Sequence, residues 1–157
     1  MSTAKLKSLS ETKNGNLFSI CLEGDSITEF EKFIENHSDA YSKEVNMILS
    51  AIQHMLNASG FLERYFRPEG KMNDSVCALP LTSGKLRLYC LRINDSILIA
   101  GNGGVKSTRT YEDDQLLSGH VITLQKLEIA LKKAIRKGEA FIEGNSIEHH
   151  GKKFDIS

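Results

Sequence analysis

The stretch from Lys85 to Ala100 constrains the fold more than any other. Leu86, Leu88 and Cys90 alternate with Arg87, Tyr89 and Leu91, which is the two-residue period of a strand with two distinct faces. Asn94-Asp95-Ser96 then turns the chain, and Ile97-Leu-Ile-Ala100 returns beside it as an antiparallel partner. Asn102-Gly-Gly104 is expected to break or bulge the returning strand before Val105 to Tyr111 carries on. A hairpin is not stable alone, so other elements must cover at least one of its faces.

The remaining segments supply that cover. Leu17 to Leu22 is a short β-branched and aromatic run that reads as a strand. Asp25-Ser26 opens a helix in which Ser26 and Glu29 stand at capping-box spacing and Ile27, Phe30, Phe33 and Ile34 form an apolar stripe. Val45, Ile48, Leu49, Ile52 and Leu56 predict a second helix from about Ser42 to Ala58, stopped by Gly60. The two helices make a helical hairpin. Phe61 to Asp74 is irregular, and Val76 to Leu81 reads as a strand ended by Pro80. Val121, Leu124, Leu127, Leu131 and Ile135 define a last helix over about Gly119 to Lys137. Residues 1–15 read as a flexible polar lead-in. Residues 139–157 form a tail that would suit one more hairpin around Phe141, Ile147 and Phe154.

The expected architecture is therefore α+β: an N-terminal strand and helical hairpin, an antiparallel sheet of about four strands, and a C-terminal helix, in two layers. At 157 residues the chain fits a single domain, over 16–138. No apolar run reaches the roughly 20 residues that span a bilayer, and the polar start has no signal-like stretch. A cytoplasmic setting is expected. Cys21, Cys77 and Cys90, odd in number and set among apolar residues, read as reduced core thiols.

Net charge is zero but uneven. Residues 17–61 are acidic, with Lys32 and Lys43 opposing seven carboxylates; residues 62–111 carry Arg64, Arg67, Lys71, Lys85, Arg87, Arg92, Lys106 and Arg109 against four. Such asymmetry makes either a local cationic patch or two solvated faces of opposite sign. Asn102-Gly-Gly104-Val-Lys106 lacks the spacing of a phosphate-cradling P-loop and reads better as a bulge. His37, His54, His120 and the adjacent His149-His150 have no metal-ligand spacing. Of these, His120 stands nearest the basic stretch, where a proton-transfer role is conceivable.

The element order, with Gly84-Lys-Leu-Arg-Leu-Tyr89, the hairpin Ile93 to Ile99 and the basic run Lys106-Ser-Thr-Arg109-Thr-Tyr111, resembles the RelE/ParE/HigB superfamily of bacterial toxin–antitoxin toxins. The resemblance is at residue level only over Gly84 to Tyr111. It implies a metal-independent messenger-RNA endoribonuclease, acting on the ribosome without a cofactor and restrained by a small DNA-binding antitoxin. The RNA 2′-hydroxyl would attack the adjacent phosphate. Arg87 would then bind phosphate, Arg109 and Lys106 would complete a cationic clamp, and Tyr111 would stack on a base or move a proton. Arg67, Lys71, Lys85 and Arg92 would contact the RNA backbone.

Two departures from the family pattern point to an alternative, a non-catalytic module that pairs with a helix-turn-helix partner. The strand Val76 to Leu81 carries no lysine, and the chain as a whole is neutral. Arg87 could equally be a structural face residue. Tyr111 could be a loop anchor, and Glu112-Asp-Asp114 could cap the last helix or bind a basic partner.

Overall fold

A computed structural model describes residues 2–69, 74–79, 84–106 and 114–157. The chain opens with β1 (Thr3–Thr12) and β2 (Gly15–Leu22), then α1 (Glu29–His37) and α2 (Ser42–His54). A π-helical turn, Met55–Ser59, and a 3₁₀ turn, Glu63–Tyr65, lead to β3 (Arg67–Pro68) and β4 (Val76–Leu79). The hairpin β5 (Leu86–Asn94) and β6 (Ile97–Val105) follows, then α3 (Gln115–Arg136), the small hairpin β7 (Phe141–Glu143) and β8 (Ser146–Glu148), and β9 (Lys153–Asp155).

Seven of these strands form one sheet in the order β3-β4-β5-β6-β2-β1-β9, and β7-β8 form a second. Every pairing in the large sheet is antiparallel except β2 with β6, which run parallel from Asn16↔Ile97 to Ser19↔Ala100. The protein is α+β, but the expected two-layer antiparallel sheet of about four strands, closed by one C-terminal helix, is not what forms. Both faces of the sheet are covered. Phe18, Ile20, Tyr89, Leu91, Ile97 and Ile99 pack against Leu117, Val121, Leu124, Leu127 and Leu131 of α3. Leu17, Leu86, Leu88, Cys90, Leu98 and Ala100 pack against Phe30 and Phe33 of α1 and Val45, Ile48 and Ile52 of α2. The unbroken apolar run Ile97 to Ala100 suits a strand buried on both sides.

The expected polar lead-in is a ten-residue strand instead. Ala4 and Leu6 of β1 turn inward while Lys5 and Lys7 stay outside or at the rim, so only two apolar residues mark its inner face. The tail also joins the sheet, with Phe154 of β9 pairing with Ala4. The α1 cap lies two residues beyond the expected one. Thr28 is the N-cap, and Thr28 and Glu31 form the capping box. Asp114 caps α3, accepting from the Leu116 and Leu117 N–H groups. Gly60, at φ 80°, ends the π turn, where a β-carbon would lie 2.8 Å from the Asp95 carbonyl oxygen.

Candidate functional site

The start of β5 and the end of β6 meet at one end of the sheet. Arg87 stands opposite Gly104 and Leu88 opposite Gly103, whereas Cys90 stands opposite Ala100. Gly101 and Asn102 therefore share Tyr89 as a partner, a bulge. It falls close to the Asn102-Gly-Gly104 expected from the sequence, but β6 continues through it without a break. A β-carbon on Gly103 would lie 1.8 Å from the Arg87 carbonyl oxygen, so only glycine permits this approach.

Alternation places Arg87 on the α3 side of the sheet, with Tyr89 and Leu91. It is only 6% exposed. Its Nη1 donates to the carbonyls of Gly84 (2.5 Å) and Leu86 (3.1 Å), while its Nε is buried with no acceptor. No carboxylate pairs with it among the described residues. Lys85 is exposed and Lys106 half-buried; their strands are joined where the Lys106 N–H donates to the Lys85 carbonyl at 2.6 Å. Glu44 of α2 secures the strand start by accepting from the Lys85 and Leu86 N–H groups at 2.9 and 3.1 Å.

The other expected site residues do not gather here. Arg92 lies on the opposite face, donating to the Phe61 carbonyl at 2.7 Å and pairing with Asp95. That is a tie holding the β5–β6 turn against the segment after α2, so an RNA-contact role for Arg92 is not what its surroundings suggest. Arg67 is exposed on β3, two strands from Arg87. Lys71, Arg109 and Tyr111 lie outside the described residues.

On the α1 side of the same strand end sits a polar cluster that sequence reasoning missed. Asn102 donates from Nδ2 to Glu29 Oε1 at 3.3 Å and accepts the Gly103 N–H at Oδ1. Glu29 is 6% exposed, and its second oxygen lies 2.6 Å from Lys32 Nζ, which also pairs with Asp25. Ser19 Oγ donates to the Ala100 carbonyl and accepts the Phe30 N–H, fixing α1 to the strand.

Burial lowers the pKa of His37, against a hydrogen bond to the Gly103 backbone that raises it. Burial also lowers that of His120 on α3, against the fields of Glu29 and Asp114. Both imidazoles are thus biased toward the neutral form. The sequence signal for this cluster was obscured because Glu29 could be read as the capping residue; Glu31 takes that role and Glu29 turns inward.

No group of three His, Cys, Asp or Glu among the described residues could hold a metal ion. No helix among them is long and apolar enough to cross a membrane. Cys77 and Cys90 are buried and face one another across β4 and β5. Burial pushes the Cys77 thiol up to about 12 and the Cys90 thiol well above its ordinary value, as suits unreactive core thiols. Comparison of the chain with protein-family models, with curated proteins and with solved structures finds no significant match in any of the three.

Proposed function

We propose that the β5–β6 end binds the phosphate backbone of RNA and cleaves it without a metal, as the toxin of a bacterial toxin–antitoxin pair acting in the cytoplasm. The observation that carries this reading is the state of Arg87. A buried guanidinium normally has a carboxylate or a full set of acceptors, because an uncompensated buried charge is costly. Among the described residues Arg87 has two backbone carbonyls and an unused Nε–H, which leaves capacity for an anion. Lys85 and Lys106 add charge at the same strand end. In the reaction the RNA 2′-oxygen bonds to the adjacent phosphorus and the bond to the 5′-oxygen breaks. His120, biased toward its neutral form, accepts the hydroxyl proton, and a proton returns to the leaving oxygen. The cations oppose the charge gathered on the phosphorane.

The test is incubation of 5′-labelled RNA with the protein in excess EDTA. Fragments ending in 2′,3′-cyclic phosphate are expected, lost in Arg87→Ala and reduced at least tenfold in the double variant Lys85→Ala/Lys106→Ala, which changes one exposed and one half-buried residue and whose fold urea denaturation would check. Absence of cleavage together with RNA affinity indifferent to these changes overturns the reading. The same burial of Arg87 favours the second reading, a partner-binding module without catalysis. Stable co-purification with a small helix-turn-helix protein, with RNA left intact, would establish it.

A further inference from the structure

Away from that end, α3 and β9 enclose a groove with a cavity of about 470 Å³. Along α3 and its C-cap, Ile122, Lys126, Ile129, Lys133 and Lys137 follow each other at three- and four-residue steps, so they fall on one stripe of aliphatic and cationic side chains. Ile122 is 42% and Ile129 67% exposed, although both point along a helix whose opposite face fills the core. Lys152 and Lys153 form the other wall, and Ala130, Ala134 and Phe154 the floor.

Among the described residues, five lysines thus line the groove against two side-chain carboxylates. Glu139 is paired with Lys152 at 3.6 Å, and Asp155 accepts from the Ser157 backbone and hydroxyl. Lys126, Lys133, Lys137 and Lys153 have no ion-pair partner among the described residues.

We propose that this groove docks an acidic amphipathic helix from a protein partner. Charge complementarity fixes the sign, since carboxylates on the incoming helix would meet the lysines left unpaired. The exposed isoleucines and apolar floor fix the second requirement. A phosphate backbone would pair with the lysines but leave Ile122 and Ile129 uncovered, whereas a helix bearing leucines among its glutamates satisfies both. The stripe from Ile122 to Lys137 is about 22 Å long at 1.5 Å per residue, so a helix of about fifteen residues would cover it.

The probe is a fluorescein-labelled helical peptide of that length, with leucines on one stripe and glutamates flanking it, titrated by anisotropy against the full chain. Saturable micromolar binding is expected. It should weaken at least tenfold in Lys126→Glu/Lys133→Glu and at least fivefold in Ile129→Asp, all at exposed positions, and return to the double variant when the peptide's glutamates become lysines. Three results overturn the proposal: no saturable binding up to millimolar peptide, equal binding by the wild type and the variants, or a single-stranded oligonucleotide of the same charge binding as tightly with Ile129→Asp indifferent. The last outcome would mark a polyanion site instead.

Discussion

The first four residues of β6, Ile97 to Ala100, differ from its last four, Asn102 to Val105, in nearly every respect that matters. The first four are paired on both sides, to β5 and to β2. They are fully buried and apolar, and divide evenly between the two cores. Beyond the bulge the described pairing is to β5 alone, two of the four residues are glycine, and the strand's neighbours are Glu29, His37 and Arg87. One strand therefore serves first as the centre of the protein and then as the floor of a polar site. The bulge marks the change.

Substitutions on either side of that boundary should separate the two roles. Gly103→Ala should have the largest effect, about 4 kcal/mol or outright failure to fold, because the clash is with backbone and no rotamer relieves it. Urea denaturation would measure it; a loss under 1 kcal/mol would show that the bulge is plastic. Leu98→Ala, in the apolar half, should lower stability by about 3 kcal/mol through the cavity it leaves. Glu29→Ala should cost about 1–3 kcal/mol, since Asn102 and Lys32 both lose a partner in a buried setting. Glu29→Gln should recover part of the Asn102 hydrogen bond but none of the ion pair.

A smaller effect concerns pH. His37, His120 and His149 all have pKa values lowered by burial, so the unfolded chain binds their protons more tightly than the folded one. Their neutral forms favour the fold above the ordinary histidine pKa of about 6.5, and that contribution is lost as pH falls below it. Denaturation midpoints should drop between pH 7.5 and 5, less steeply in His120→Asn. Gly119→Ala, in the first turns of α3 with open space around it, should change stability least and in the other direction, by about 0.5–1 kcal/mol.

What the sequence revealed followed from local pattern. The β5–β6 hairpin, α2, the hairpin in the tail and a bulge near Asn102 all rest on residues close together in the chain, where period and turn chemistry act. The architecture rests on contacts those patterns do not encode. Nothing near Leu17 or Leu98 announces that β2 and β6 lie parallel, and with that pairing unseen a sandwiched sheet reads as an open one. β1 was missed because Lys5, Lys7, Ser8 and Ser10 resemble a solvated leader, although Ala4-Lys5-Leu6-Lys7 alternates. Ser26–Glu29 and Thr28–Glu31 both satisfy the capping-box spacing. The first pair accounts for Glu29 as a cap and so conceals the cluster around Asn102. For the expected site, Arg87 and Lys106 were legible as cations at one strand end, but the depth of Arg87 was not, since alternation along a strand does not say that both faces of the sheet are covered.

The pairing of β9 with β1 carries a consequence for how the molecule is made. Thr3 stands opposite Asp155, and the Ile156 N–H reaches back to the Ser2 carbonyl. During translation β1 can join β2 almost at once, yet its outer edge stays open until these later residues emerge, leaving a row of unused backbone donors and acceptors. Lys5 and Lys7 on that strand would discourage another nascent chain from adding to it during the wait.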